Sequence, residues 1–214
     1  LSIGALSCES PVNNTKEALL KSVLPLEIIV HGSPVVMYMS HDLYENTKVK
    51  EPVKEANRKY NDKKVSHDLI EKIVYAGQFA PSGMNRQIYA FVVVEDEELM
   101  HELSKKNAEA MNSTSDPFYG AKSMIIVFAD TNAPTYLYDG ALAMGNLMNA
   151  ANALGVDSCW IHRAKEFFET DFGKELKKKW GLPESYEGIG HCILGYRDGE
   201  LSKRAERISK VIYA

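Results

Sequence analysis

The sequence predicts an α+β fold in which helices pack around one sheet. Amphipathic helical segments and apolar strand segments interleave from residue 66 onwards, but without the regular β-α-β spacing of a parallel sheet. The chain has 214 residues, of which 45% are hydrophobic and 25% are charged, as is ordinary for a soluble globular protein. Both observations favour one domain of good size, with or without an appendage.

The first third of the chain differs in pattern from the rest. Thr15–Val23 is predicted to form a short amphipathic helix, and Leu26–Val30 has the composition of a buried strand. The stretch Lys48–Lys64 is rich in basic residues, which indicates a surface connection or a boundary. We therefore divide the chain into an N-terminal extension, residues 1–53, and a main domain, residues 54–214.

The main domain is predicted to contain four helices and four strands. Ser66 is expected to cap the first helix, and Pro81 to end it. The other helices are Glu97–Met111, Asp139–Leu154 and Phe167–Trp180, and the strands are Ile88–Val94, Ala121–Ala129, Ser158–Ile161 and Glu187–Tyr196. The third helix is expected to bury an apolar stripe formed by Leu142, Leu147, Met148, Ala151 and Leu154.

Composition excludes several classes of function. The net charge is −4 and the pI is near 5.9, so no nucleic-acid partner is expected. Cys8, Cys159 and Cys192 show no metal-ligand spacing, which argues against a zinc site or a disulfide framework and favours a reducing cytoplasm. No apolar run reaches the roughly 18 residues of a membrane span, so no membrane association is expected.

The stretch "APSGMNRQ", Ala80–Gln87, is unusually polar for a connection between a helix and a buried strand. One interpretation is a simple turn, in which Gly83 supplies a positive φ while Ser82 and Asn85 bond to their own backbone. The other is a polar edge for a flat heteroaromatic ligand such as a flavin, because the amides of Asn85 and Gln87 offer a donor and an acceptor together. The residues alone leave both interpretations open.

Two further positions could bind a charged ligand. His162 and Arg163 end a predicted strand, where they are either ordinary surface residues or a cationic group beside a ligand that gains negative charge. Near the C-terminus, three basic residues could hold a phosphate or belong to a solvated tail. These three residues are Lys203, Arg204 and Arg207.

The stretch "GIGHCILGY" raises a structural question. Gly188 and Gly190 within a predicted strand indicate a β-bulge or the close approach of another group. His191 alternates with Cys192, so one of the two is expected to face inward. No P-loop, GxSxG or HExxH motif is present, and neither a nucleophilic triad nor a metal site is predicted.

Taken in order, several segments resemble the nitroreductase family of FMN-dependent oxidoreductases. They are "APSGMNRQ" with the following "FVVVED", then "DGALAMGNLMNAANALGVDSCWIHRAKEFFET", then "WGLPESYEGIGHCILGY", and the resemblance covers Arg58–Tyr213. It implies an α+β nitroreductase-like fold, with a central mixed or antiparallel sheet flanked by helices. It also implies an intertwined homodimer that binds FMN at the subunit interface.

The resemblance further implies a ping-pong reaction in which NAD(P)H reduces FMN through the flavin N5. A nitroaromatic, a quinone or a similar small electron-poor molecule then takes the electrons. No catalytic side chain is required. The implied FMN contacts are the loop residues Pro81, Ser82, Gly83, Asn85 and Gln87, the strand-end residues His162 and Arg163, and the phosphate-binding residues Arg58, Lys203, Arg204 and Arg207. Reductive dehalogenation or flavin fragmentation would be other chemistries of the same fold.

The stretch "KEANRKY" departs from the family's phosphate-binding motif. Glu55 and Ala56 stand where an arginine and a serine are usual, and Glu206 adds an acid near the C-terminal basic group. The replacements at Glu55 and Ala56 would each weaken phosphate binding by about 1–3 kcal/mol. The alternative function is therefore a degenerate or non-catalytic flavin-binding protein with an impaired phosphate site.

The N-terminal extension shows a second, shorter resemblance. Pro25–Asn46 resembles part of the U32 peptidase-like proteins, but it is too short to form their barrel. Either this segment is such a fragment, or it is an ordinary extension that wraps the partner subunit.

Overall fold

The computed structural model describes residues 4–7, 26–30 and 33–39 as backbone, and residues 59–199, 208 and 210–213 with their side chains. The predicted helix Thr15–Val23 lies outside these residues. The same is true of the predicted phosphate-binding residues Arg58, Lys203, Arg204 and Arg207.

The described part of the chain contains seven strands and five α-helices. The strands are β1 Gly4–Ser7, β2 Leu26–Val30, β3 Ser33–Met39, β4 Tyr89–Val94, β5 Ser123–Asp130, β6 Asp157–Ile161 and β7 Tyr186–Gly195. The helices are α1 His67–Gln78, α2 Glu97–Ala110, α3 Tyr136–Ala153, α4 Ala164–Glu169 and α5 Asp171–Lys179. A short 3-10 turn, Gly83–Asn85, precedes β4.

The main sheet has four antiparallel strands in the order β4-β5-β7-β6, and helices flank it, as the α+β prediction requires. The main domain therefore has the one sheet expected of it, while β1, β2 and β3 of the N-terminal extension form a separate three-stranded sheet. Within that sheet β1 runs parallel to β2, and β3 runs antiparallel to it. The predicted strand Leu26–Val30 is β2.

Helices cover both faces of the main sheet, so the central strand β5 is buried on both sides. On one face, Ile125, Val127 and Ala129 of β5 pack in a cluster with residues of α1 and α3. On the other face, Met124, Ile126 and Phe128 join residues of α2, α4 and α5. This explains why β5 is a continuous apolar run rather than an alternating one.

The predicted helix Phe167–Trp180 is in fact two helices, α4 and α5, that meet at Thr170. The Thr170 hydroxyl donates to the Phe167 carbonyl at 2.7 Å and accepts from the Gly173 amide at 3.1 Å, which caps α5 and ends α4. A side chain at residue 173 would overlap the Phe167 backbone, so this glycine permits the sharp junction.

The buried stripe of α3 is only partly as predicted. Leu147 and Ala151 are fully buried, but Leu142 is 48% exposed and Leu154 is 37% exposed. The buried face uses smaller residues instead, because α3 packs closely on the sheet: a Cβ at Gly140 would lie 2.6 Å from the Ile189 side chain. Leu142 and Leu154 are left partly exposed. Among the described helices, none has the length and apolar character needed to cross a bilayer.

Candidate functional site

A cavity of about 760 Å³ opens beside the edge strand β4. Its size falls within the roughly 300–1,000 Å³ of small-molecule pockets. Pro81, Ser82, Asn85 and Gln87, four of the predicted site residues, line it. Sequence reasoning missed the other lining residues, which come from the end of α1 and the start of β4: Val74, Gln78, Phe79, Ala80, Tyr89, Ala90 and Phe91.

The loop beside this cavity has a strained backbone. Met84, Asn85 and Gln87 have φ values of 55°, 52° and 51°, which are left-handed conformations that side chains other than glycine disfavour. Each costs about 1–2 kcal/mol, somewhat less for asparagine. Such strain persists only where surrounding contacts hold it, and it is concentrated at functional sites.

Gly83 does not supply a positive φ, so the expected reason for this glycine is wrong. A Cβ at residue 83 would lie 2.5 Å from the Thr135 hydroxyl oxygen. The glycine is therefore needed because the loop packs directly against the start of α3. Because Gly83 has no side chain, its backbone amide can approach α3 and form a hydrogen bond that the sequence did not indicate.

That hydrogen bond joins the loop to Asp139 in the first turn of α3. The Gly83 amide donates to both carboxylate oxygens of Asp139 at 3.1 Å. The Thr135 hydroxyl donates to Asp139 Oδ2 at 2.8 Å. Asp139 is only 4% exposed, so these bonds are shielded from water.

Two more hydrogen bonds shape the loop from within. The Gln87 amide nitrogen of the backbone donates to the Ser82 hydroxyl oxygen at 2.9 Å. The Gln87 side chain donates from Nε2 to Asn85 Oδ1 at 3.4 Å. Both amide side chains are exposed and stand side by side at the cavity. They form a polar edge able to both donate and accept hydrogen bonds.

Tyr89 fastens the base of the loop. Its hydroxyl donates to the Gln78 carbonyl at 3.1 Å and also bonds the Ala80 carbonyl, which ties the end of α1 to β4. Burial raises the pKa of Tyr89, and the nearby Asp139 carboxylate raises it further. The phenol therefore stays protonated at neutral pH and remains a hydrogen-bond donor.

His162 and Arg163 follow β6, at the opposite edge of the main sheet. Arg163 has a φ of 72° and precedes the first residue of α4. His162 is exposed and Arg163 is half-buried. Both can therefore present a donor or a positive charge to a bound molecule.

The two predicted groups of site residues do not share one cavity. β5 and β7 separate β4 from β6, which puts about 14 Å between the two edge strands. The strand directions point both groups toward the same end of the sheet, because β4 begins and β6 ends on that side. The pairing puts Tyr89 level with Glu187 and Ile161 level with His191, four positions further along β7. The chain thus presents two groups of candidate site residues toward one end of the sheet. We call them the loop half-site, Pro81–Gln87, and the strand-end half-site, His162 and Arg163.

The glycines of β7 explain the shape of the strand-end half-site. The register of β7 against β5 shifts between Gly188 and Gly190, so the predicted bulge is present. The predicted close approach is also present, since a Cβ at Gly188 would lie 2.7 Å from the Ala164 backbone. A Cβ at Gly190 would overlap the indole of Trp160. Without side chains, β7 admits both α4 and Trp160.

His191 and Cys192 are both buried, so the expectation that only one faces inward is wrong. His191 packs among Phe118, Phe167 and Phe168, with ring centroids 5.5 Å, 6.1 Å and 6.0 Å away. Burial lowers the pKa of His191 to about 4, and the Ile161 backbone acts weakly in the opposite direction. Burial likewise raises the pKa of Cys192 to about 12. Neither side chain is suited to react with a ligand.

No metal centre is found in the described part of the chain, since no three His, Cys, Asp or Glu side chains come together there. Cys159 and Cys192 are buried thiols.

Comparison with known proteins gives one consistent result. A family model described as the Nitroreductase family matches residues 54–196. A protein of Archaeoglobus fulgidus, provisionally named an NADH dehydrogenase/NAD(P)H nitroreductase, is 32% identical over 148 residues, or 67% of this chain and 80% of that protein. The match to the family begins at residue 54. The resemblance of Pro25–Asn46 to U32 peptidase-like proteins therefore gains no support from it.

Solved structures agree with the sequence comparison. A nitroreductase with bound FMN from Bacteroides fragilis has a TM-score of 0.69 and 25% identity, and covers 75% of this chain and 94% of its own. A nitroreductase with bound FMN from Desulfitobacterium hafniense has a TM-score of 0.68 and 26% identity, covering 76% of this chain and 94% of its own. The arrangement of helices around an antiparallel sheet is therefore shared with both proteins.

Proposed function

The chain belongs to the Nitroreductase family, and we propose that it is an FMN-dependent oxidoreductase that takes electrons from NAD(P)H. Nitroaromatics, quinones and similar small electron-poor molecules are the proposed acceptors. The observation that carries this proposal is the polar edge of Asn85 and Gln87 at a cavity of about 760 Å³. Family membership alone would leave the site unidentified, and the cavity alone would leave its ligand unidentified.

The residues present at the cavity fit a flavin. The side-chain amides of Asn85 and Gln87 can meet the alternating donors and acceptors of a flavin's pyrimidine edge. Phe79 and Phe91 add apolar surface to the same cavity, which suits the flat ring system. When bound, FMN would supply the chemistry of hydride acceptance and delivery. The protein's own residues would bind and orient the ring and exclude water from it.

The strand-end half-site would add positive charge. The guanidinium group of Arg163 would favour a ligand that becomes more negative, and the neighbouring His162 offers a ring N–H donor. Because FMN would supply the hydride chemistry and the protein's residues would bind and stabilise it, the site needs no side-chain general base. Tyr89, which stays protonated, would keep the loop half-site in place rather than transfer a proton.

We propose that the chain forms a homodimer, and that a complete site combines half-sites of two subunits. The outer flank of α3 exposes Leu137 (52%), Tyr138 (73%) and Leu142 (48%), and Gly145 on the same flank has no neighbouring atom within 4 Å of an added Cβ. Apolar surface of this kind supports a subunit interface. A two-fold arrangement through α3 would let the loop half-site of one subunit meet the strand-end half-site of its partner.

The test begins with FMN binding. The purified protein is titrated with FMN while flavin fluorescence and visible absorbance are recorded, and NADH or NADPH is then added without oxygen. We expect binding in the micromolar range or tighter, bleaching by at least one nicotinamide, and recovery of colour on addition of a quinone or nitroaromatic. A protein that leaves FMN fluorescence unchanged refutes the proposal.

A variant separates the proposed enzyme from the alternative of a non-catalytic flavin-binding protein. Glu55→Arg combined with Ala56→Ser restores the residues usual in the phosphate motif. If the phosphate site is impaired, this variant should bind FMN about tenfold more tightly or better. Wild-type protein that binds FMN but is not bleached by either nicotinamide would favour the alternative.

A further inference from the structure

The buried carboxylate of Asp139 contacts the loop half-site although it belongs to a different element. We propose that Asp139 is a positioning residue that sets the geometry of the amide edge formed by Asn85 and Gln87. Its role toward FMN rests on the function proposed above. Its role toward the loop does not, because the contacts are present in the protein itself.

Asp139 accepts hydrogen bonds from outside its own helix. A carboxylate in the first turn commonly bonds the backbone amides there, yet both oxygens of Asp139 accept from Gly83, 56 positions earlier in the chain. Thr135, at the N-cap position of α3, makes no side-chain cap bond and donates to Asp139 instead. Thr135 thus supports Asp139, and Asp139 bonds the loop, instead of either side chain capping α3.

The position of this contact decides its effect. Gly83 immediately precedes Met84 and Asn85, the first two left-handed residues, and Ser82 on its other side bonds the Gln87 backbone amide. Fixing Gly83 therefore fixes both ends of the strained segment. Without that anchor, the residues held at unfavourable φ values can relax, and the hydrogen bond between the two amide side chains is no longer held in place.

Substitutions of Asp139 separate positioning from simple stability. Asp139→Ala removes the anchor and should weaken FMN binding about tenfold or more. Asp139→Asn keeps an oxygen acceptor for the Gly83 amide and should stay within about threefold of the wild type. Thr135→Val keeps the shape of residue 135 but removes its donor, so we expect an intermediate loss.

A matched control removes a carboxylate with the same kind of bond elsewhere. Asp96 caps α2 by accepting from the Leu99 amide at 2.8 Å and does not line the cavity. Asp96→Ala should lower stability through the loss of a cap, while FMN affinity stays unchanged. A general loss of stability would otherwise be mistaken for a loss of positioning.

The experiment measures FMN affinity by fluorescence, the visible spectrum of bound FMN, and backbone amide exchange of Gly83 and Gln87 in the FMN-free protein. The proposal expects faster exchange at both amides, a changed flavin spectrum and weaker binding in Asp139→Ala, with recovery in Asp139→Asn. Wild-type affinity and spectrum in Asp139→Ala would overturn it.

The two proposals can fail separately. If wild-type protein does not bind FMN, the proposed function is refuted, and amide exchange alone then decides the role of Asp139. Unchanged exchange at Gln87 in Asp139→Ala overturns the positioning role, and faster exchange supports it. If Asp139→Ala does not fold, the same readings are taken on Thr135→Val, where wild-type exchange and affinity count against the proposal.

Discussion

The strongest stability prediction concerns His191 and acid. Its ring lies in an aromatic cluster with Phe118, Phe167 and Phe168 and is fully buried. Neither ring nitrogen meets hydrogen-bond criteria with a described residue, and the Ile161 backbone offsets the effect of burial only in part, so a positive charge on this ring is poorly compensated. The perturbation is a fall in pH, applied to the wild type and to His191→Leu, which fills a similar volume without titrating.

The size of the effect follows from the two pKa values of His191. Burial lowers the pKa from 6.5 to about 4. Above pH 6.5 the ring is neutral in both states and contributes no pH dependence. As the pH falls from 6.5 toward 4, the unfolded chain takes up the proton first, so stability is lost. The full penalty is about 3 kcal/mol, and about 2 kcal/mol of it is already present at pH 5.

Urea denaturation at pH 7.5 and at pH 5 measures this penalty. From pH 7.5 to pH 5, the free energy of unfolding of the wild type should fall by about 2 kcal/mol more than that of His191→Leu. A constant difference in stability caused by the substitution cancels in this comparison. His191→Gln, which is polar but does not titrate, should behave like His191→Leu. Equal losses in the wild type and both variants would refute the reasoning, because all other titrating groups are common to the three proteins.

Three other predictions test separate parts of the structure. Tyr138→Glu should shift the protein from dimer to monomer in analytical ultracentrifugation, and a variant that remains dimeric would mean that the interface lies elsewhere. Gly190→Ala should lower the free energy of unfolding in urea by about 1–3 kcal/mol, because its Cβ overlaps the Trp160 indole, and wild-type stability would contradict that contact. His67 Nδ1 lies 2.7 Å from Glu95 Oε2, and the hydrogen bond and charge of Glu95 raise the pKa of His67. The pair therefore stabilises the fold at low pH, and this stabilisation is lost as the pH rises through the raised pKa. An NMR titration of Glu95→Gln should show a lower His67 pKa than the wild type, and an unchanged value would count against the pairing.

Local pattern was sufficient to locate most elements of the main domain. The helix predicted at Glu97–Met111 is α2, Glu97–Ala110, and the strand predicted at Glu187–Tyr196 is β7, Tyr186–Gly195. The break at Thr170 was missed because the residues on both sides favour a helix. The Thr170 cap and the packing of Gly173 against the Phe167 backbone separate α4 from α5. Such a contact is tertiary and leaves no periodic signal.

The candidate site shows the same limit. The loop residues Ser82, Asn85 and Gln87 were predicted because polar side chains before a buried strand are conspicuous in the sequence. Asp139 was not, because a carboxylate in the first turn of a helix is common and has an ordinary local explanation. Its partner Gly83 lies 56 positions away, and only the folded chain reveals the contact.

The antiparallel sheet itself explains why one subunit would not suffice for the proposed site. β4 begins and β6 ends toward the same end of the sheet, but β5 and β7 keep these two edge strands about 14 Å apart. Moving either half-site inward would displace a central strand that is buried on both faces, so the fold cannot close the gap within one chain. A partner subunit packed on the exposed flank of α3 can bring a half-site from outside instead. Under this arrangement FMN binding and subunit association stabilise each other, since a ligand held by both chains favours the assembled state.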